Sequence, residues 1–143
     1  MKPIEFVKHC TPKWFKFGQQ QDSSEFLVYF LDNLNEQLKN YPKFASLIQE
    51  NFGIRLNTRI KCLKCSKTTS RTDTSFSLPL SFVSSDQPLS LQTLVNNYFH
   101  QEQLSIENGN SYSCSSCSSL QNATKRIRIE HDAPNYLILT LNR

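Results

Sequence analysis

The sequence predicts an α+β domain, and three patterns carry that prediction. Phe26, Leu27, Phe30, Leu31, Leu34 and Leu38 recur at the spacing of one helix face. Ile54, Leu56, Thr58 and Ile60 alternate with polar residues, which is the period of a half-buried strand. Two CxxC pairs, Cys62/Cys65 and Cys114/Cys117, use four of the five cysteines and read as the two halves of a zinc ribbon.

The elements follow in order. Residues 1–17 are aromatic-rich, and Pro3 and Pro12 argue against a long helix there. Asp22, with Glu25 three residues later, resembles a capping box at the start of the helix that carries the apolar stripe. Tyr41-Pro42 ends that helix, and a short second one is expected over 44–51, closed by Gly53. The alternating strand from Ile54 leads into the first CxxC, and Thr68–Leu80 leaves it as a second β-prone stretch. Residues 84–88 read as a loop. Leu91, Leu94, Val95, Tyr98 and Phe99 return to helical spacing behind a candidate cap, Ser90. A turn over 107–110 precedes the second CxxC. Two strands close the chain, about 124–130 and 136–141, with 131–135 turning between them.

A tetrahedral zinc site needs four soft, deprotonated ligands, and a two-residue spacing lets both sulfurs of a pair face one ion. Cys62, Cys65, Cys114 and Cys117 are therefore the candidate ligands of a closed, structural zinc, with no position left for water or substrate. The spacer, Ser66 to Ser113, far exceeds the roughly 15–20 residues of a compact ribbon, so the fold must bring the pairs together. Disulfides are the competing reading. Residues 1–10 are charged and hold no apolar signal-peptide run, and an odd cysteine count suits a reducing compartment. Lys61, Lys64 and Lys67 flank the first pair and favour thiolates. Cys10 is left unpaired and reads as a free thiol.

Composition narrows the classes. At 143 residues the chain is one domain or part of one. No apolar stretch approaches the roughly 20 residues needed to cross a bilayer. The chain is expected to be an intracellular monomer in cytoplasm or nucleus, with no membrane partner. A net charge of +4 from scattered residues is too little to imply nucleic acid, although a zinc-ribbon nucleic-acid module stands as a remote alternative. The densest basic run, Lys125-Arg126-x-Arg128, alternates with Ile127 and Ile129 and reads as the polar face of a strand. Neither a Walker A motif nor GxGxxG is present.

Gln20-Gln21-Asp22-Ser23-Ser24-Glu25-Phe26-Leu27 resembles the QQDxxEFL segment of the ubiquitin-specific protease family, the papain-like cysteine deubiquitinases. The order downstream is similar too: Cys62-Leu63-Lys64-Cys65, then Phe76-Ser77-Leu78-Pro79-Leu80, a helix over 91–99, Cys114-Ser115-Ser116-Cys117, Ala123-Thr124-Lys125-Arg126, and the apolar strand Tyr136-Leu137-Ile138-Leu139-Thr140-Leu141. The likeness runs from about Phe15 to Arg143. It implies part of a papain-like thumb, palm and fingers fold. In that fold, about 15–52 are thumb-side helices, about 54–130 zinc-binding fingers, and about 131–143 the start of the palm sheet. It further implies ubiquitin and ubiquitinated proteins as partners. Gln20, Asp22 and Glu25 match family positions that line the channel for ubiquitin's C-terminal tail, where carboxylates suit the tail's arginines. Asp22 and Glu25 can equally cap their own helix.

A cysteine protease needs a thiolate, an imidazole base and a group orienting that base. The family carries the nucleophile in a GxTCYMN-like box before the QQD segment and the base in a GHY-like box after the apolar strand. Neither box occurs in this sequence, and Cys10, His9, His100 and His131 match neither. No catalytic residue is assigned. The chain is read as an internal part of a deubiquitinase domain, inactive alone, with a non-catalytic ubiquitin-binding scaffold as the alternative.

Overall fold

The computed structural model describes residues 5, 10–16, 18–82, 90–130 and 133–142. The helices α1 (Ser23–Leu38), α2 (Leu47–Phe52) and α3 (Leu91–Phe99) accompany eight strands among these residues. The strands are β1 (Ile54–Cys62), β2 (Thr68–Ser75), β3 (Leu78–Ser81), β4 (Glu102–Leu104), β5 (Tyr112–Cys114), β6 (Ser119–Gln121), β7 (Ala123–Ile129) and β8 (Leu139–Asn142). The content is mixed α and β, as the periodicities predict. No described helix is long and apolar enough to cross a membrane. Residues 84–88, His9 and the His131-Asp132 part of the expected turn lie outside the described residues.

The chain forms two compact units. The first runs up to Ile54 and adds Phe76–Leu78 and Pro134–Thr140. Asp22 caps α1: its Oδ1 accepts from the backbone N–H groups of Ser24 (2.7 Å) and Glu25 (3.3 Å). Such a cap contributes about 1 kcal/mol. The apolar stripe of α1 buries Leu31 against Ile48 of α2 and Phe76, with Leu34, Leu38, Phe52 and Ile138 packed around them. The amino-terminal half of the stripe is less covered, and Phe26 stacks on Phe30 at 5.9 Å.

The second helix differs from expectation at its start. Residues 44–46 form turns, and α2 begins at Leu47. Gly53 closes it with an extended backbone, and a Cβ there would fall 2.5 Å from the carbonyl oxygen of Gln49. The last predicted strand also starts late, at Leu139 rather than Tyr136. The backbone N–H of Tyr136 instead donates to Asn51 O (2.8 Å) at the end of α2, and its ring lies 5.6 Å from that of Phe52. β8 pairs with β3 in a two-stranded sheet.

The second unit takes Arg55–Ser75, Pro79–Ala133 and Leu141–Arg143. Its sheet has the order β2-β1-β7-β4. β1 and β7 pair antiparallel from Leu56↔Ile129 to Cys62↔Ala123, and β4 adds Glu102↔Lys125 to Leu104↔Ala123. One face of β7 carries Ala123, Lys125, Ile127 and Ile129, and α3 packs against this strand. Ser90 caps α3 by accepting from Thr93 N (3.1 Å), as expected. The β-prone stretch from Thr68 to Leu80 forms two strands separated at Phe76-Ser77, where both residues are buried in a bend. β4 has no apolar alternation that would have announced it. Backbone pairing and the Lys125–Glu102 ion pair (3.1 Å) hold it on the sheet.

Candidate functional site

The β1–β2 connection and the β5–β6 hairpin are the two knuckles. In the first, Ser66 N donates to Cys62 O and Cys62 N donates to Lys67 O, both at 3.0 Å, folding the chain back around Cys62. In the second, β5 pairs with β6 from Tyr112↔Gln121 to Cys114↔Ser119. Leu63 N donates to Asn122 O (2.9 Å), which ties the first knuckle to the end of the second hairpin. Thr69 Oγ1 and Tyr112 OH, 3.2 Å apart, add a side-chain link.

This wiring brings the two CxxC pairs together across the long spacer. The Sγ atoms of Cys62, Cys65, Cys114 and Cys117 all lie within 4.8 Å of one another, and those of Cys65 and Cys114 are 3.6 Å apart. Four sulfurs around a tetrahedral ion with metal–sulfur bonds of about 2.3 Å stand about 3.8 Å apart, so the donor set fits. All five cysteines are free thiols. The four clustered sulfurs form one group rather than two bonded pairs, and they could hold a metal ion. Cys62 and Cys114 are buried, Cys117 is half-buried and Cys65 is at the surface.

The electrostatics also suit a cation. The backbone N–H of Cys117 donates to the Cys114 sulfur, Ser116 N–H and the Cys65 and Cys62 thiols add to it, and Cys114 is pulled down to about 7. Cys117 is pushed up to about 12, first by burial and then by the neighbouring sulfurs, including the Cys114 charge. One thiolate therefore forms readily, and it opposes ionisation of its neighbour. A divalent ion removes that conflict by stabilising every thiolate at once. With four sulfurs bound there is no open coordination position, so such an ion is structural. Cys10 stands apart, half-buried and outside the cluster.

The other predicted residues lie at the start of α1. Gln20 is exposed. Asp22 is exposed and engaged as the helix cap. Glu25 does not complete a capping box. Its Oε1 instead accepts from Trp14 Nε1 at 2.8 Å. Trp14 in turn meets Tyr29 edge-on at 5.8 Å. Trp14, Glu25, Val28, Tyr29, Asp32 and Thr140 line a cleft of about 390 Å³ in the first unit. Asp32 has its carboxyl raised above the usual range by burial and then by Glu36. Sequence reasoning missed Trp14, Tyr29 and Asp32. Asp32 was detectable, because it lies two helical turns beyond Glu25 on the same face. Trp14 sits in an irregular segment whose path no periodicity predicts. His100, exposed at the end of α3, belongs to neither site.

The second unit carries a four-thiol cluster on two knuckles that could hold a metal ion, and the first carries a helix capped by the Asp of a QQD segment; the class they define is a mixed α and β protein with a candidate metal centre. The model of the family described as ubiquitin carboxyl-terminal hydrolase matches residues 1–143. Among curated relatives, the chain is similar to ubiquitin carboxyl-terminal hydrolase 42 of Homo sapiens, 32% identical over 152 residues, covering 100% of this chain and 11% of that protein. It is similar to ubiquitin carboxyl-terminal hydrolase 25 of Arabidopsis thaliana, 33% identical over 139 residues, covering 90% of this chain and 20% of the relative. It also resembles ubiquitin carboxyl-terminal hydrolase 9 of Saccharomyces cerevisiae, 30% identical over 158 residues, covering 100% of this chain and 20% of the relative. The chain belongs to the ubiquitin carboxyl-terminal hydrolase family. It spans between 11% and 20% of the length of these relatives.

Proposed function

We propose that this chain is the zinc-bearing, ubiquitin-recognising part of a cysteine-type deubiquitinase. The whole domain would hydrolyse the isopeptide bond after ubiquitin's terminal glycine through a cysteine thioester. The observation that carries this reading is the family match along residues 1–143, together with a four-thiol cluster of the right size at the two CxxC pairs. Zinc is the ion assigned to Cys62, Cys65, Cys114 and Cys117, because four thiolates at tetrahedral spacing suit it. When bound, it cross-links the two knuckles and supplies stability, not a reacting group.

In this reading the first unit contributes thumb-side helices over about 15–52. About 54–130 form the fingers, and about 131–143 begin the palm. Gln20, Asp22 and Glu25 take ubiquitin's extended tail: two carboxylates and an amide at one helix start match guanidinium groups and backbone amides. Glu25 keeps one oxygen on Trp14, and its other oxygen serves the tail. Asp22, exposed, holds the helix start with Oδ1, and its second oxygen is assigned to the tail. The chain carries no nucleophile or histidine box of the family, and alone it is proposed to cleave nothing.

Trp14 is the single tryptophan, and it touches Glu25, so its emission reports on this site. Titration with ubiquitin is expected to change Trp14 emission. The change should weaken for ubiquitin lacking its C-terminal tail and for Asp22→Ala. An unchanged emission with full-length ubiquitin, or equal binding of tailless ubiquitin, overturns the tail assignment. Release of a fluorophore from a ubiquitin C-terminal amide by this chain alone would overturn its proposed inactivity.

A further inference from the structure

The face of the four-stranded sheet opposite Ile127 carries no apolar side chain on its central strands. β1 places Arg59 and Lys61 there, and β7 places Arg126 and Arg128. All four are exposed, and with Thr68 and Thr124 they line a shallow depression of about 250 Å³. Arg59 stands directly across from Arg126, and Lys61 across from Thr124. Like charges directly opposite on neighbouring strands are destabilising. Nothing among the described residues offsets this, since none of the four forms an ion pair there. Glu130, at the end of this face, accepts instead from Thr72 Oγ1 (3.0 Å).

Arg59 is also held in place. Its Nε donates to Asn57 Oδ1 (2.9 Å), and the buried Asn57 is fixed by Ser70 (2.8 Å) and Thr72 (3.1 Å) on β2. The terminal nitrogens of Arg59 are thereby left free to bind outward in a set direction. A rigid, unneutralised cluster that costs the isolated chain stability is the arrangement expected of a surface completed by an anionic partner.

We propose that this face docks an acidic polypeptide segment, with carboxylates seated on Arg59, Lys61, Arg126 and Arg128. An extended chain places alternate side chains about 6.7 Å apart, which is also the spacing of Arg126 from Arg128 and of Arg59 from Lys61 along their strands. Alternate Asp or Glu residues would therefore meet the cations in register. Single-stranded nucleic acid is the weaker fit, because its sequence-independent binding relies on aromatic platforms and the strand residues on this face include none. The proposal uses a surface distinct from the α1 cleft and does not depend on the ubiquitin reading.

The test is fluorescence anisotropy of a labelled oligo-glutamate peptide and a labelled oligo-thymidine of equal length, titrated with the zinc-loaded chain at low and high salt. The oligo-glutamate is expected to bind more tightly than the oligo-thymidine and to weaken with salt. The double substitution Arg59→Gln with Arg126→Gln is expected to weaken peptide binding at least tenfold, while Arg71→Gln on the opposite face leaves it unchanged. The double variant should keep its zinc content and melt no lower than the parent, because a repulsion has been removed. Tighter binding of the nucleotide, a double variant within twofold of the parent, or a double variant that loses stability would each overturn the proposal.

Discussion

Ser66 and Ser118 occupy equivalent places in the two knuckles. Each directly follows the second cysteine of its pair, and each adopts the left-handed backbone, with φ of 59° and 52°. The two knuckles thus repeat one turn, and that turn forces a side chain into a conformation suited to glycine. Serine tolerates it better than a branched residue, since its Cβ carries only a small hydroxyl.

Ser66→Gly and Ser118→Gly are accordingly expected to stabilise the metal-loaded chain, each by about 1 kcal/mol, with the local strain relieved. Ser66→Val should destabilise by more than that, because β-branching adds to the clash. Thermal melts of the three variants check both signs. A glycine variant that melts lower than the parent would show that the serine side chain has another role.

The thiol cluster predicts a strong dependence on metal. Removing the ion with a chelator should unfold the knuckles, because structural zinc supplies on the order of 10 kcal/mol to small domains that depend on it. One zinc per chain is expected by elemental analysis, falling sharply in Cys114→Ser and unchanged in Cys10→Ser. Retention of the melt after complete chelation would remove the structural role.

Asn57 should be the most sensitive polar residue of the sheet. It is 6% exposed and bonds Ser70, Thr72 and Arg59 at once. Asn57→Ala leaves those partners short of a hydrogen bond inside the sheet and is expected to cost about 1–3 kcal/mol, measured by denaturant unfolding. Asn57→Ser should recover part of the loss.

Asp32 gives a pH signature. Its folded carboxyl is raised by burial and by Glu36, so the folded chain holds that proton more tightly than the unfolded chain. Its contribution to stability is full below the ordinary carboxylate value and is lost as pH rises through the folded value. Asp32→Asn should therefore raise the melting temperature slightly at neutral pH, and the gain should vanish in acid below the unfolded carboxylate range. A gain independent of pH would point to packing instead.

Much of this was legible from residue order. The stripe from Phe26 to Leu38 predicted α1, and Ser90 predicted the start of α3, because caps and helical periodicity are local. The alternation in Lys125-Arg126-Ile127-Arg128 correctly marked Arg126 and Arg128 as the polar face of a strand. Lys125, however, lies on the Ile127 side and pairs with Glu102. β4 escaped notice because an edge strand of three residues is held by backbone pairing, which leaves no side-chain pattern. The late start of β8 has a similar cause: Tyr136 is claimed by the end of α2 through a backbone bond that no sequence pattern announces.

Residue order alone was enough to nominate the four cysteines of the two CxxC pairs as candidate ligands, to start a helix at Asp22, and to reveal a family resemblance from about Phe15 to Arg143. These properties depend on spacing and residue chemistry along the chain. It took the folded chain to bring Cys65 to Cys114 across a long spacer, to turn Glu25 to Trp14, and to set Arg59 opposite Arg126. Each of these depends on strand register or on the path of an irregular segment. Those are set by the summed packing of the fold, so neighbouring residues in sequence carry no local record of them.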